Sequence, residues 1–328
     1  MIRTLALALG ALACVSMVIL GILIMWPVPA PDPERSFDFT RVEMPPEARP
    51  DTTFEARDGA ALPLRVYAAG GADTAVIVLH GSAGYGDYLH PLAAHLSDND
   101  MAHVYVPDLR GHGDDPSRRG DIAYFDQLAD DVADLVARVR ADVPGARVVL
   151  AGHSAGGGLA LRVAGGEYAE QVDALLLIAP YLGHDAPTAI GDAGGWAHPR
   201  LPRMVALQVL NNFGIRLLNG LEVISFNLPE AYRTGRETLG YSWRMVHGFA
   251  PRDYVSDLQG VNVPLLVAVG ERDEAFIAER FAPVIGEYAP HGDVVVLPAI
   301  AHMDVVADRL ALDLFAQWVV GLDDERSR

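Results

Sequence analysis

The stretch "VVLAGHSAGGGLAL", residues 148–161, decides how this chain is read. An apolar, β-branched run stops on Gly152-His153-Ser154-Ala155-Gly156, and two further glycines, Gly157 and Gly158, follow where a helix should begin. A glycine inside a helix costs roughly 1 kcal/mol against alanine, so three in succession need a compensating contact. A sharp strand-to-helix turn provides it: Ser154 sits on a strained backbone, and the glycines on either side relieve crowding. Such a turn lifts the hydroxyl clear of the strand end and points the free N–H groups of a helix N-terminus at whatever the hydroxyl attacks. Gly157 and Gly158 then let that helix lie close to the sheet.

Working outward, residues 74–80, 102–108, 147–153, 173–180, 264–270 and 293–299 are continuous apolar runs bounded by turn residues. Runs of this kind suit strands buried on both faces of a parallel sheet. Between them the periodicity is helical. From Phe125 to Arg140, Leu128, Val132, Leu135, Val136 and Val139 fall on one face, with Asp130, Asp131 and Asp134 expected to face water. A last helix is expected over Val305 to Val320. Alternating β and α segments imply an α/β fold, a doubly wound and mostly parallel sheet with helices on both faces. Between Tyr181 and about Gly260 no good strand is seen, and the apolar stretch 204–228 reads as part of a helical cap insertion.

Composition removes whole classes of function. The chain has 328 residues and a formal net charge of −18, with no basic stretch to serve a nucleic-acid partner. All 25 basic residues are arginine, which excludes a phosphate-loop lysine, a Schiff-base lysine and a lysine nucleophile. Cys14, the only cysteine, lies in an N-terminal apolar run, so thiolate chemistry, a thiolate zinc site and disulfides are absent from the folded part. The chemistry must come from hydroxyl, imidazole and carboxylate.

Residues 4–26 are uncharged and nearly all apolar, long enough to cross a ~30 Å hydrocarbon core as a helix. Arg3 before this run and Asp32 and Glu34 after it place the N-terminus in the cytoplasm and the rest of the chain on the non-cytoplasmic side. A cleaved signal peptide is the competing reading, but the run is longer than usual and "VPAP" (28–31) puts proline after the cut. The expected organisation is a membrane anchor or signal segment at 1–26, a proline-rich semi-rigid linker at 27–50, core at 51–180, cap at 181–260, core again at 261–322 and a tail at 323–328.

Gly152-His153-Ser154-Ala155-Gly156 resembles the G-x-S-x-G nucleophile elbow of the α/β-hydrolase superfamily. "VLHGSAGYG" (78–86) and "VPDLRGHGDD" (106–115) resemble companion loops of that fold, and "SRRGDIAYFDQLADDV" (117–132) resembles the monoacylglycerol lipase and lysophospholipase branch, of serine aminopeptidase S33 type. The resemblance covers roughly residues 50–320, strongly to Pro180 and through short motifs thereafter. It implies an oxyanion hole made by the backbone N–H groups of Ser82 and Ala155.

A serine hydroxyl needs a base within hydrogen-bond reach and a carboxylate to orient that base. The superfamily order is nucleophile, acid, histidine. "GERDEAF" (270–276) offers Glu271, Asp273 and Glu274 for the acid, and the family pattern G-x-x-D points to Asp273. His302, between the last strand and the last helix, is the base, whereas His291 precedes that strand and reads as a surface residue. His80, His112 and His153 are expected in packing or supporting hydrogen bonds, and His184, His198 and His247 on the cap. No histidine pair has zinc-protease spacing, so neither metal nor cofactor is expected.

The implied activity is hydrolysis of carboxylic esters, of monoacylglycerol or lysophospholipid type, through an acyl-enzyme on Ser154. Partners are then a small ester and the membrane. Acyl transfer, peptide hydrolysis and cofactor-free haloperoxidase chemistry share the scaffold, and a silent binding protein on the same fold is the reading from a different class. Epoxide and haloalkane hydrolysis are disfavoured, because those relatives carry aspartate at the position of Ser154.

Overall fold

A computed structural model describes residues 2–27, 32, 35–42, 45 and 48–326. The "VPAP" stretch and Glu34 lie outside the described residues, as does the side chain of Arg3. An eight-stranded sheet forms the centre, with strand order β1-β2-β4-β3-β5-β6-β10-β11. The strands are β1 (Thr52–Glu55), β2 (Ala61–Tyr67), β3 (Thr74–Leu79), β4 (His103–Pro107), β5 (Arg147–His153), β6 (Ala174–Ile178), β10 (Leu265–Gly270) and β11 (Asp293–Leu297). From β4 to β11 all neighbours are parallel, and β1 and β2 add an antiparallel edge. Every residue of β3, β6 and β10 is buried, which is why these strands read as unbroken apolar runs.

Strand order fixes the layers. The step from β3 to β4 runs in one direction along the sheet and every later step runs in the other. With right-handed crossovers, α2 (His90–Asp98) therefore covers one face, while α3 (Gln127–Asp142), α4 (Ala155–Ala164), α7 (Tyr254–Gly260) and α8 (Phe281–Tyr288) cover the opposite face. The C-terminal α9 (Arg309–Arg326) packs beside α2 and extends into the expected tail. The reversal lies beside the C-terminal ends of β3 and β5, where open α/β sheets leave a crevice for ligands.

On α3 the expected apolar face is buried throughout. The opposite face differs from the sequence reading. Asp131 is only 3% exposed and takes a two-pronged pair from Arg110, 2.8 Å to each oxygen, while Asp130 and Asp134 are bound by Arg57. The three aspartates anchor the loop after β4 and the β1–β2 turn.

The insertion is a mixed cap. Besides α5 (Leu201–Asn212) and α6 (Trp243–Phe249) it holds a small antiparallel sheet, β7 (Ala197–Pro199), β8 (Glu222–Phe226) and β9 (Gly240–Ser242), where only helix was expected. α1 (Ile2–Ile24) takes up the N-terminal apolar run and lies along α5, where the Arg203 Nε–H donates to the Ile24 carbonyl at 2.8 Å. Several α1 side chains fall outside the described set, and among the described residues no helix is long and apolar enough to cross a membrane.

Candidate active site

Ser154 lies between β5 and α4 at φ 56°, ψ −121°, a region that costs a non-glycine residue of order 1–3 kcal/mol. The turn is held from both sides. Ser154 N–H donates to Ile178 O at 2.9 Å, and its own carbonyl accepts from the N–H groups of Gly157, Gly158 and Tyr181. The glycines have separate tasks. A Cβ on Gly156 would lie 2.4 Å from Leu79 O and 2.5 Å from His80 O, and one on Gly152 would lie 2.2 Å from Gly156 O. These two let α4 begin directly against the sheet. Gly158 instead faces Tyr181 O, 2.5 Å from where its Cβ would stand, so it makes room for the chain leaving β6 rather than for the sheet itself.

The loops after β10 and β11 bring Asp273 and His302 to the same rim. His302 Nε2 stands 3.1 Å from Ser154 Oγ and Nδ1 stands 2.8 Å from Asp273 Oδ2. All three residues are at least nine-tenths buried. Asp273 Oδ1 accepts from the N–H groups of Ala275 and Phe276, at 2.8 and 2.9 Å. The neighbouring glutamates hold the same loops. Glu274 accepts the His302 N–H and Glu271 the Ala299 N–H, both at 2.9 Å.

The loop after β3 passes directly over the serine, and a Cβ on Gly81 would be 3.1 Å from the Cβ of Ser154. Gly81 N–H donates to Tyr88 Oη at 2.7 Å and Ala83 N–H to Tyr241 Oη at 2.9 Å. Ser82 N–H, between them, has no such commitment among the described residues, and Ala155 N–H opens α4, where helix N–H groups lack intrahelical partners.

His80, His112 and His153 make supporting hydrogen bonds, and Tyr88 and Tyr241, which partner two of them, carry no signature in the sequence. Tyr88 Oη is 2.9 Å from His153 Nδ1, and His153 Nε2 is 3.1 Å from His302 O. His80 Nε2 accepts from Leu109 N–H at 3.0 Å, and its Nδ1–H donates to Gly81 O at 2.9 Å. His112 Nε2 accepts from Tyr241 Oη at 2.6 Å. Burial lowers His80 to about 4 and His112 to about 3, and holds His153 well below the ordinary imidazole value with help from nearby His302. These three therefore stay neutral as fixed struts. His184 and His291 are exposed, and His198 and His247 are partly buried in the cap. No group of histidine, cysteine or acidic side chains among the described residues could hold a metal.

Core and cap are tied by charge. Arg236 reaches down from the cap to Asp87, which is also bound by Arg65, while Arg65 reaches Asp108 at 2.9 Å. Above Ser154 lies a cavity of about 60 Å³ with mainly aromatic and aliphatic walls, including Tyr85, Trp196, Leu228, Tyr232 and Met303. Phe37 and Phe39 also line it, although they belong to the segment read as a linker.

The fold recurs in solved structures. A soluble variant of the monoglyceride lipase of Saccharomyces cerevisiae, in complex with a substrate analog, aligns with a TM-score of 0.65 at 17% identity over 84% of this chain and 96% of that one. The monoacylglycerol lipase of Paleococcus ferrophilus gives 0.60 at 17% identity, over 80% and 99%. A malate-bound thermophilic esterase from Thermogutta terrifontis gives 0.57 at 21%, over 84% and 98%. No curated protein matches the chain. The model of the family described as "Serine aminopeptidase, S33" matches residues 70–302, from the approach to β3 through His302. With that match spanning most of its length, the chain belongs to the S33 family of the α/β-hydrolases.

Proposed function

We propose that this protein is a serine hydrolase of carboxylic esters with lipid-like acyl groups. The observation that carries the reading is the unbroken chain Ser154 Oγ, His302, Asp273, with links of 3.1 and 2.8 Å, on the floor of an apolar pocket. His302 takes the Ser154 proton as the hydroxyl attacks the ester carbonyl, and Asp273 keeps the imidazole in the tautomer that can accept it. The N–H groups of Ser82 and Ala155 receive the developing oxyanion. The imidazolium then protonates the departing alcohol, and water repeats the attack on the acyl-enzyme with the proton transfers reversed.

Pocket chemistry favours an ester over a peptide N-terminus. An aminopeptidase needs an anion for the substrate ammonium, and the one carboxylate lining the cavity among the described residues, Glu237, is taken up by its own loop. Its Oε1 accepts from Thr234 N–H and Oγ1–H and its Oε2 from Gly235 N–H. We propose further that the apolar run 4–26, only part of whose side chains belong to the described set, anchors the chain in a membrane with the catalytic domain on the non-cytoplasmic side. Leu201, Val205, Phe213 and Leu217 of the cap region that packs with α1 are each more than half exposed, an apolar surface suited to the lipid interface.

The test is labelling of membrane and soluble fractions with a fluorophosphonate probe, followed by a p-nitrophenyl ester panel. Labelling belongs in the membrane fraction, and Ser154→Ala abolishes both labelling and turnover. Rates that stay flat or fall from acetate to octanoate would overturn the lipid reading, and labelling that persists in Ser154→Ala would remove the serine from the mechanism.

A further inference from the structure

Residues 35–42 lie between α1 and the catalytic core and cross the mouth of the pocket. Phe37 and Phe39 are 6% and 8% exposed, despite their setting among prolines and charges. The Phe37 ring stacks on Trp196 with centroids 4.8 Å apart and stands 4.5 Å from the His302 ring. Phe39 leans on Trp196 and Tyr232 at 5.7 and 5.4 Å.

Side chains from the cap hold this strap down. Asn227 Nδ2–H donates to Arg35 O at 2.6 Å, and Asn227 O accepts from Ser36 Oγ–H at 2.6 Å. Gly195 permits the approach, since a Cβ there would meet Arg35 Cβ at 2.5 Å. The remaining ties among the described residues are the ion pairs Arg35–Asp192, Arg41–Asp304 and Arg41–Asp308, whose arginines are more than half exposed and therefore hold weakly. An apolar insert beside the base, fastened by a few polar contacts and without regular structure, is built to be displaced.

The space left beneath it is small. About 60 Å³ admits only a handful of waters, at roughly 10–15 Å³ each, which suits a short acyl group. A longer chain that keeps to the apolar wall of Trp196, Leu228 and Tyr232 takes the position now filled by the two phenyl rings.

We propose that the strap 35–42 is the acyl-length gate of this enzyme: Phe37 and Phe39 occupy the far part of the acyl site, and long-chain esters are turned over only when the strap yields. This rests on the esterase reading above: the parent, whose strap yields transiently, still favours octanoate over acetate, and the gate withholds part of that preference. The strap follows α1 by ten residues of chain, so the membrane attachment proposed above and access to the site share one stretch of chain.

The experiment compares the full chain with Phe37→Ala/Phe39→Ala and, separately, with Asn227→Ala, which loosens the strap and leaves both rings in place. The readout is the ratio of kcat/KM for p-nitrophenyl octanoate to that for acetate, with folding checked by circular dichroism. The ratio is expected to rise at least tenfold in the double variant and severalfold in Asn227→Ala. A ratio that is unchanged or falls in both folded variants overturns the gate, because the rings would then be a fixed wall that helps bind the chain. Labelling rates with long-alkyl and short-alkyl fluorophosphonates give the same ratio without an ester. If no ester is hydrolysed but Ser154 is labelled, the esterase reading fails while the probe ratio still decides the gate.

Discussion

Replacing Asp273 with asparagine isolates the orienting role of the carboxylate, because the surroundings dictate how the new amide must lie. Oδ1 receives two backbone donors, Ala275 N–H at 2.8 Å and Phe276 N–H at 2.9 Å, whereas Oδ2 faces His302 Nδ1 at 2.8 Å. An NH2 group cannot sit opposite two N–H groups, so the amide oxygen takes the Oδ1 position and the nitrogen turns toward His302. Nδ1 must then accept, and the ring proton moves to Nε2, 3.1 Å from Ser154 Oγ. A protonated Nε2 cannot take the serine proton.

The equivalent change of tautomer in a serine protease triad costs about 10⁴ in kcat, roughly 5.5 kcal/mol at 1.36 kcal/mol per decade. Alanine at this position is a poorer probe. It would leave the Ala275 and Phe276 donors without an acceptor, at about 1–3 kcal/mol for each buried group, and so mix stability with activity. The assay is steady-state hydrolysis of p-nitrophenyl butyrate by the parent and Asp273→Asn, with the folded fraction matched by urea titration. The expectation is a loss of about 10³ to 10⁴ in kcat with KM little changed. A folded asparagine variant within tenfold of the parent would refute the orienting role and return the choice of acid to Glu271 and Glu274.

Gly156→Ala places a Cβ 2.4 Å from Leu79 O, so the start of α4 must move by at least about half an ångström and carry Ser154 with it. Overpacking of about 1–3 kcal/mol and a rate loss of order 10²-fold are expected in urea unfolding and kcat, and a variant matching the parent in both rejects the close-packing argument. The buried neutral histidines set an acid limit on stability. His80 falls from 6.5 in the unfolded chain to about 4 in the fold, so below pH 6.5 the unfolded state binds the extra proton. The stabilisation is complete above pH 6.5 and is lost as pH falls toward 4, about 3 kcal/mol in all. Urea midpoints of the parent should therefore drop more steeply between pH 7 and 4.5 than those of His80→Gln, and parallel curves would contradict this.

What the sequence could reveal follows from how each element is buried. Five of the six parallel strands were legible because burial on both faces writes an unbroken apolar run, whereas the edge strand β11, with Val296 41% exposed, was legible from its run of β-branched valines. β7 and β9, three residues each, write no such run, since Ala-His-Pro and Gly-Tyr-Ser owe their pairing to β8 and not to local pattern. Ser154 was legible from the steric demand of its turn, and Asp273 and His302 from the order and the G-x-x-D pattern that the family resemblance implies. The bond from His302 N–H to Glu274 was not legible, because it depends on where two loops meet. The strap was missed for a similar reason: the partners of Phe37 and Phe39, Trp196 and Tyr232, lie more than 150 residues away. Two phenylalanines at i and i+2 in a stretch of prolines and charges were the available signal, because a solvated linker gains nothing from exposing them.

The hydrogen bonds around His153 admit a single arrangement of protons. A backbone carbonyl only accepts, so the contact to His302 O places the proton on His153 Nε2. Nδ1 must then accept from Tyr88 Oη–H, which leaves the Tyr88 oxygen to receive Gly81 N–H. The loop over the serine, the turn bearing it and the loop bearing His302 are thus braced through one neutral ring. That ring lies 4.8 Å from the His302 ring, so when His302 takes up the serine proton, like-charge repulsion adds to burial in keeping His153 uncharged. The brace holds its geometry at the step where the charge on His302 changes, which is when a shift of the oxyanion donors relative to the serine would cost most.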